Sequence, residues 1–314
     1  MKLCMVGYGA IAERHMETFV AIEGVEPWAL VGRRAEPAAE FASRWKFRSW
    51  TLDLDEALAD PALEAVVITS PSALHAAQAE KALEAGKHVL LEIPMALGLA
   101  DAERVTRLAR RVGRRLMVAH TMRTYPALRE VRRRVEAGEL RIHHIVGLFG
   151  LPRRSNTTFA GNPRSWTDDL LWHFGAHMVD MALWLTGHRE ARRLFCQIGP
   201  KHPTQNVMDL SLCMTLPGGE LVTLAQSFNI ASFHWKIMFI GEEATLVYDK
   251  GTLQGAEGEV IVPGRPIQDL RDQNHEFIAA IREGRDPSIT GEEVLPAMRI
   301  LQAAQDSADA SLTS

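Results

Sequence analysis

The sequence has few cysteines, no long apolar run and little net charge, and each absence excludes a class of protein. The three cysteines among 314 residues form no CxxC pair, so we expect neither a disulfide framework nor a cysteine-rich metal site. No segment holds the roughly 18 apolar residues that a membrane-spanning helix needs, and the start, MKLCMVGYGA, lacks a signal-peptide cleavage site. A net charge of −4 provides no basic field for nucleic acid or a membrane surface. We expect a cytoplasmic protein.

Length and apolar patterning predict two domains. In the first part of the chain, apolar runs alternate with helical stretches, the pattern of a parallel sheet covered by helices, with strands at 3–6, 25–31, 65–69, 88–91 and 116–119. Later segments of alternating polarity predict a mostly antiparallel sheet, at 142–148, 210–216, 221–227 and 234–240. The predicted fold class is therefore α/β for residues 1–121 and α+β, with an open, mostly antiparallel sheet, for residues 122–314. The last helix is a candidate to pack back on the first domain.

A glycine motif joins the first predicted strand to the first predicted helix. The sequence GYGAIA begins at Gly7 and follows the pattern GxGxxA. Gly7 permits the tight turn, and Gly9 lets a pyrophosphate approach the backbone. The helix start at Ala10 and Ile11 offers free N–H donors to the phosphates. The motif predicts that residues 1–121 form a dinucleotide-binding Rossmann domain.

The end of the second strand favours NADP over NAD. An NAD enzyme usually places an acidic residue about twenty residues past the glycines, where it bonds the ribose 2′-hydroxyl. This chain has Gly32-Arg33-Arg34 at that place. Glycine leaves room for a phosphate, and a guanidinium group supplies two parallel donors to it. We predict NADP, with NAD as the less favoured coenzyme; the alternative is that Arg33 and Arg34 are exposed loop residues without a ligand.

Three further strand ends carry residues that we assign to the coenzyme pocket. Thr69-Ser70-Pro71 follows the third long strand, and His75 lies just beyond it. Glu92-Ile93-Pro94 follows the next strand, and His120 follows the last one. Ligands of open parallel sheets bind beyond the carboxyl ends of the strands, which is where all three places lie. Each of them is by itself compatible with an ordinary turn or helix cap.

The segment PRSWTDDLLWHFGAH, residues 163–177, gathers many polar and aromatic side chains. Its S-x-x-D capping box predicts a helix over 165–185, on which His173, His177 and Asp180 share one stripe. These histidines have three interpretations: hydrogen-bonded residues at the core margin, a metal pair, or groups that transfer protons near neutral pH. Metal is the weakest interpretation, because the segment lacks the glutamate of HExxH and no third ligand stands out. We predict no metal.

Four motifs, in the same order along nearly the whole chain, resemble the glucose–fructose oxidoreductase, inositol dehydrogenase and rhizopine catabolism family: GYGAIA, TSPSALH, EIP and GAHMVD. The resemblance implies a Rossmann domain joined to a substrate domain whose open sheet often forms the interface of a homodimer or homotetramer. It also implies that His177 is the catalytic histidine and Asp180 the acid that follows it. Glu92 and Pro94 are implied in the coenzyme pocket, with a cis bond before Pro94.

Two positions depart from the family pattern. The family normally reads Glu-Lys-Pro after the fifth strand, its lysine contacting the reacting hydroxyl, whereas this chain has Ile93. The family's acid four residues before the catalytic histidine is here His173, so the base is His177 or His173, and the family position favours His177. One branch of the family shares both departures. That branch uses NADP to oxidise the cyclic hemiacetal of a carboxylated semialdehyde, in the catabolism of lignin-derived aromatic compounds such as protocatechuate.

This resemblance implies an NADP-dependent dehydrogenase whose anionic substrate needs fixed cations. The available cations are Arg123, Arg153, Arg154 and Arg164. We predict Asp180 on the substrate side, and Trp166 either at the wall of the nicotinamide pocket or as a buried core residue. Two rival functions remain: an NADP-linked sugar or cyclitol dehydrogenase of the same family, which Ile93 disfavours, and a non-catalytic NADP-sensing regulator, which the histidine and the arginines disfavour.

Overall fold

The structure is a computed structural model that describes residues 1–153, 155, 170–200, 207–266 and 269–312, with the backbone alone for 311 and 312. The chain divides into two compact units. Unit 1 comprises Met1–His120 and Gln268–Leu295, and unit 2 comprises Thr121–Ile267 and Pro296–Ser314. Within the described ranges, no helix is long and apolar enough to cross a membrane.

Unit 1 alternates strands with helices. Its strands are β1 (Lys2–Val6), β2 (Glu26–Val31), β3 (Ser49–Thr51), β4 (Ala65–Ile68), β5 (His88–Leu91) and β6 (Leu116–Val118). The helices between them are α1 (Ala10–Phe19), α2 (Ala35–Arg44), α3 (Leu54–Leu58), α4 (His75–Glu84) and α5 (Leu99–Val112). The sequence pattern did not indicate β3 and α3, because segments of three and five residues are too short to show a period.

The six strands of unit 1 form one parallel sheet in the order β3-β2-β1-β4-β5-β6. This is the strand order of a doubly wound dinucleotide-binding fold, which confirms the predicted class. Strands β4 and β5 are buried almost throughout, as expected of strands that have helices on both faces. Cys4, in β1, is a core residue, and burial raises the pKa of its thiol to about 12.

Unit 2 is built on one eight-stranded sheet. Its strands are β7 (Ile142–Gly150), β8 (Arg193–Ile198), β9 (Asp209–Thr215), β10 (Leu221–Ser227), β11 (His234–Gly241), β12 (Thr245–Asp249), β13 (Thr252–Gln254) and β14 (Val260–Val262). Its helices include α6 (Pro126–Glu136) and α7 (Ala176–Thr186). The strand order is β14-β13-β12-β11-β7-β10-β9-β8, and every neighbouring pair is antiparallel except β7 and β10. The prediction of a mostly antiparallel sheet is confirmed.

The two faces of this sheet differ in their burial. One face is covered, and α7 packs there against β7 at Gly147, where an added Cβ would overlap Met178 Cε. The other face carries a band of apolar side chains that remain partly or largely exposed, here called the open sheet face: Val146, Leu148, Phe195, Leu221 and Met238. Val146 lies opposite Met238 in the sheet and Leu148 opposite Ala225, so the band is continuous across the central strands.

The chain returns to unit 1 after the second sheet. Helix α8 (Arg271–Arg282) packs on α1 and buries Phe277 and Ile278 in unit 1. Helix α9 (Gly291–Leu312) begins in unit 1, and its residues from Pro296 onward belong to unit 2. Residues 268–295, which the sequence interpretation gave to the second domain, therefore belong to unit 1. An apolar helix face shows that a residue is buried, but not in which core.

Gly7 makes the turn from β1 into α1. Its φ of +112° lies in a region that L-residues rarely adopt, and an added Cβ would lie 2.6 Å from Thr69 Oγ1. The Gly7 N–H donates to Val31 O over 2.9 Å, so the turn is fixed against β2 as well. A Cβ at Gly9, in contrast, would meet no atom within 4 Å. The two glycines of the motif thus have different physical roles.

We expect Gly7→Ala to destabilise the protein by about 1–3 kcal/mol, because the turn cannot accept a side chain without moving β4. Gly9→Ala is the matched control, and we expect it to cost no more than about 1 kcal/mol, the difference between the two residues at a helix N-cap. Thermal unfolding of both variants without coenzyme measures this difference. Equal melting temperatures for the two variants would contradict this account of the turn.

Candidate active site

The glycine turn leaves the N-terminus of α1 accessible. Gly9 is the N-cap residue, and Gly9 and Ala10 are exposed while Ile11 is half-buried. Ala12 is buried, so the first turn of the helix lies close to the sheet. The N–H groups of the first turn have no acceptor inside the helix, and together with the helix dipole they favour an anion. This open backbone fits the pyrophosphate of a dinucleotide, as the sequence predicts.

Gly32, at the end of β2, has a packing role. An added Cβ would lie 2.5 Å from Ala38 Cβ and 3.0 Å from Tyr8 Cε1. The absent side chain therefore makes room for α2 and Tyr8. This corrects the prediction that Gly32 leaves room for a phosphate, because the space is filled by the protein itself.

The two arginines after Gly32 lie at the start of α2. Arg33 and Arg34 are exposed, and Arg34 is the N-cap residue of this ten-residue helix. A guanidinium group beside a helix N-terminus fits a 2′-phosphate. Glu36 in the first turn is also exposed, and a carboxylate there fits a ribose hydroxyl. This end of β2 therefore offers partners to both coenzymes.

His75 joins the loops that follow β4 and β5. Its ring nitrogens lie 2.8 Å from Ser70 O and 2.7 Å from Pro94 O, and its side chain is buried. Ser70 Oγ also donates to Gln78 Oε1 over 2.5 Å. The Ile93–Pro94 bond is cis, which confirms the prediction. His75 therefore links the two loops at this edge of the sheet through their backbone carbonyls, and its predicted contact with the coenzyme stays a prediction.

Glu92, at the end of β5, is held by His15, which Asn274 holds in turn, and the sequence interpretation missed both residues. His15 Nε2 lies 2.8 Å from Glu92 Oε1, and His15 Nδ1 lies 3.0 Å from Asn274 Oδ1. Asn274 Nδ2 donates to His15 O over 3.4 Å, so Asn274 Oδ1 accepts and His15 Nδ1 donates. His15 Nε2 is then the ring nitrogen that forms the hydrogen bond with the Glu92 carboxyl group. The available signal was a histidine on the apolar stripe of α1, because a buried imidazole needs partners.

Thr69 and His120 are buried at the ends of β4 and β6. Thr69 Oγ1 donates to Val6 O over 2.9 Å and so links β4 to β1 at the carboxyl edge of the sheet. Pro71 is half-buried just beyond. The structure thus brings the predicted strand-end residues of unit 1 to one edge, and their direct contacts with a coenzyme stay a prediction.

The two histidines of unit 2 lie in different kinds of helix. His173 is in a π-helix, Leu170–Gly175, and His177 is in the first turn of α7. The prediction of one continuous α-helix is therefore wrong at this point, and its predicted start at 165–168 lies outside the described residues. π-Helical turns are rare and are often found at functional sites. Both imidazoles are half-buried, so a small ligand can reach them.

Each imidazole lies beside an aromatic side chain. The His177 ring lies 6.3 Å from that of Trp235, and the His173 ring lies 4.6 Å from that of Phe174. Phe174 stacks on Phe149 with 4.0 Å between the ring centroids. His173 Nδ1 is buried, and no side chain or backbone group in the described part of the chain bonds it. Apolar walls of this kind strengthen electrostatic interactions with a bound ligand.

Arg123 and Asp180 form a bidentate ion pair in the interior of unit 2. Arg123 Nε lies 2.8 Å from Asp180 Oδ2, and Nη2 lies 2.6 Å from Oδ1. The two side chains are only 7% and 1% exposed. Asp180 therefore occupies one edge of the guanidinium group, and the predicted contact of Arg123 with a substrate carboxylate stays a prediction. Asp180, predicted on the substrate side, is turned to this arginine.

Arg153 lies one aromatic ring away from the π-helix. Its guanidinium carbon is 4.9 Å from the centroid of Phe228, whose ring meets Phe174 edge-on at 5.9 Å. The backbone N–H of Arg153 donates to Phe228 O over 3.1 Å. The other predicted residues of this region lie outside the described residues: Arg154, Arg164 and Trp166. Among the described residues, Arg153 is therefore a predicted carboxylate-binding arginine that lies beside the rings of Phe228 and Phe174.

The two units offer different chemistry. Unit 1 has an open helix N-terminus and exposed arginines, which suit a phosphorylated dinucleotide. Unit 2 has two accessible imidazoles, which suit proton transfer near neutral pH, and a guanidinium group that lies one aromatic ring away from the π-helix. Within the described ranges, no three His, Cys, Asp or Glu side chains come together as metal ligands would.

Comparison with known proteins gives matches for both parts of the chain. Residues 1–120 match the oxidoreductase family with an NAD-binding Rossmann fold, and residues 126–263 match the C-terminal domain of bacterial oxidoreductases. The chain is 36% identical over 310 residues to 4-carboxy-2-hydroxymuconate-6-semialdehyde dehydrogenase of Sphingobium sp. strain NBRC 103272 / SYK-6, and the match covers 96% of each chain. It is 28% identical to UDP-N-acetylglucosamine 3-dehydrogenase of Acidithiobacillus ferrooxidans over 72% of this chain and 67% of that one.

A solved structure shows the same fold. Scyllo-inositol dehydrogenase from Lactobacillus casei, determined with NAD(H) and scyllo-inositol, superimposes with a TM-score of 0.83 at 20% identity, covering 99% of this chain and 97% of that one. One family is indicated by the parallel strand order, by the glycine turn and by the sequence matches over nearly the full length. The chain belongs to the glucose–fructose oxidoreductase, inositol dehydrogenase and rhizopine catabolism family of oxidoreductases.

Proposed function

We propose that the protein is an NADP-dependent dehydrogenase that oxidises the cyclic hemiacetal of 4-carboxy-2-hydroxymuconate-6-semialdehyde to 2-pyrone-4,6-dicarboxylate, in protocatechuate 4,5-cleavage catabolism. The observation that carries the proposal is the 36% identity, over 96% of both chains, to a dehydrogenase named for this substrate. The family membership supports the coarser part, a dehydrogenase that uses a nicotinamide dinucleotide.

Ile93 supports a substrate that differs from an ordinary sugar alcohol. The residue is buried and aliphatic, so this position supplies no ammonium group to assist removal of a hydroxyl proton. A hemiacetal hydroxyl is more acidic than a sugar hydroxyl, and its oxidation leads directly to a conjugated lactone. The reaction therefore needs less help with deprotonation than the oxidation of a sugar alcohol does.

The residues of unit 2 take three parts in the proposed reaction. Arg153 binds a carboxylate of the substrate and fixes its orientation, which is the positioning contribution to catalysis. His177 accepts the proton of the hemiacetal hydroxyl, and His173 is the alternative base. The aromatic side chains around both imidazoles exclude water from the reacting group. Bound NADP supplies the acceptor for the hydride, and the glycine turn with Arg33 and Arg34 holds it.

The second candidate is an NADP-linked sugar or cyclitol dehydrogenase of the same family. It is favoured by the 33% identity over 133 residues to the NADP-dependent scyllo-inositol 2-dehydrogenase of Bacillus subtilis strain 168, a match over 42% of this chain and 40% of that one. Ile93 stands against this candidate. The third candidate is a non-catalytic NADP-sensing regulator, whose function would not require two accessible histidines in unit 2.

The first prediction for this reaction concerns turnover. With NADP and freshly generated semialdehyde, the purified protein should reduce one nicotinamide for each pyrone formed. His177→Ala should lower kcat by about 10²–10⁴-fold, the usual contribution of a general base, while the Kd for NADP stays unchanged. His143→Ala, a change of an exposed histidine in the same unit, is the matched control. Reduction with inositol or sugars but not with the semialdehyde would favour the second candidate, and normal turnover of His177→Ala would move the base to His173.

The second prediction concerns the coenzyme. Arg34→Ala should raise the KM for NADP by about 10- to 100-fold, the value of a charge-assisted hydrogen bond, and change the KM for NAD little. Arg107→Ala removes an exposed positive charge from α5 and serves as the control. Steady-state kinetics with NADP and with NAD measures the two KM values for each variant. A wild-type preference for NAD, or equal loss for both coenzymes, would contradict the assignment of the 2′-phosphate to this arginine.

We also propose that the protein forms a homodimer or homotetramer through the open sheet face. The side chains of Val146 and Leu148 remain 37% exposed on a central strand, as expected of an apolar surface that another chain covers. Leu148→Asp should therefore shift the protein to the mass of one chain in light scattering. Leu52→Asp, at an equally apolar exposed site in unit 1, should leave the mass unchanged. A wild-type monomer, or an oligomer that survives Leu148→Asp, would count against this interface.

A further inference from the structure

Gln226 is a polar side chain on the covered face of strand β10. The alternate residues of the same face, Val222 and Leu224, are apolar, and Gln226 is itself 2% exposed. A buried amide that lacks hydrogen-bond partners destabilises a fold, so such side chains almost always have them. The partners of Gln226 therefore indicate what this amide holds.

The partners are the two ends of the π-helix. Nε2 of Gln226 donates to Leu170 O over 2.7 Å, and Oε1 accepts from the Gly175 N–H over 3.2 Å. This is the amide orientation that pairs both groups, because the reverse one would set oxygen against oxygen and N–H against N–H. Gly175 has no side chain, and a Cβ there would lie 3.6 Å from the Gln226 amide, so the close approach is unobstructed.

The same two backbone groups define the π turn. In a π-helix the N–H of residue i+5 pairs with the carbonyl of residue i, and Gly175 and Leu170 stand in that relation. A side chain that bonds both groups holds this part of the helix ladder wider than an α-helical turn. His173 lies between Leu170 and Gly175, the two residues that Gln226 contacts, and His177 lies two residues beyond Gly175.

We propose that Gln226 is a positioning residue for proton transfer: its amide fixes the π turn and thereby sets the imidazoles of His173 and His177. The proposal rests on the proposed function, in which His177 is the base. Gln226 acts through the backbone and does not touch the reacting atoms. Because a displacement of about 1 Å in a reacting group can cost 100-fold in rate, a small relaxation of this turn is sufficient to impair catalysis.

Two variants of Gln226 and one control test the proposal. Gln226→Leu removes both hydrogen bonds and replaces the amide with an apolar side chain. Gln226→Glu keeps the size of the side chain; its carboxylate accepts from Gly175 but repels the Leu170 carbonyl, and only the protonated carboxyl group donates to Leu170 and restores both bonds. Leu224→Met changes packing on the same face without a hydrogen bond. For each variant, kcat and KM with the semialdehyde are measured across pH, with the Kd for NADP and the hydrogen exchange of residues 170–176.

We expect Gln226→Leu to lower kcat by about tenfold or more at every pH, with the Kd for NADP within twofold of wild type. The ratio of kcat in Gln226→Glu to that in wild type should rise by about tenfold as pH falls. Protonation of the introduced carboxyl group restores both hydrogen bonds to the π turn. Taking the ratio removes the titration of His173 and His177 themselves, which both proteins share. The backbone of residues 170–176 should exchange at least about tenfold faster in Gln226→Leu than in wild type or Leu224→Met.

Three results would overturn the proposal: wild-type kcat in Gln226→Leu, an equal loss in Leu224→Met, or a Gln226→Glu ratio that is independent of pH. If Gln226→Leu does not fold, Gln226→Glu decides the question alone. A wild-type protein that does not oxidise the semialdehyde marks a failure of the proposed function instead. In that case the exchange of residues 170–176 still tests whether Gln226 holds the π turn.

Discussion

Unit 2 depends on one buried ion pair, between Arg123 and Asp180. Both side chains are withdrawn from water and joined by two short hydrogen bonds, so loss of either partner would strand a charge at a cost of about 3–5 kcal/mol. Asp180 lies one helical turn after His177, and the pair therefore fixes the rotation of α7 about its axis. His177 lies on the same helix, so the ion pair also anchors the backbone that carries its imidazole.

Much of unit 1 could be predicted, because its signals are local. A tight strand-to-helix turn requires Gly7, an accessible helix N-terminus requires a small residue at Gly9, and buried parallel strands appear as short apolar runs. These features need only the neighbouring residues to be recognised. The carboxyl edge of the sheet could be predicted for the same reason, since strand ends of a parallel sheet share one side.

The remaining features depend on contacts between distant parts of the chain. His15 is bonded to Asn274, which lies 259 positions away, and no periodicity connects α1 with α8. The π-helix could not be anticipated either, because its geometry depends on Gln226 in a separate strand, while the local sequence is compatible with an ordinary α-helix. Arg123 was predicted to bind substrate because an anionic substrate needs a fixed cation, and only the fold reveals that Asp180 is its partner. Sequence thus indicates which residues are equipped for chemistry, and tertiary contacts decide which of them face a ligand.

We propose, above all, that an anionic cyclic hemiacetal is bound by a guanidinium group while an imidazole of unit 2 accepts its hydroxyl proton. The most direct measurement is a crystal structure of the protein with oxidised NADP and 2-pyrone-4,6-dicarboxylate. We expect the carbonyl oxygen of the lactone, which derives from the hemiacetal hydroxyl group, within hydrogen-bond distance of the His177 imidazole. We expect a carboxylate of the product to bind Arg153. A product that binds away from both residues, or one whose carboxylates meet no arginine, would contradict this proposal.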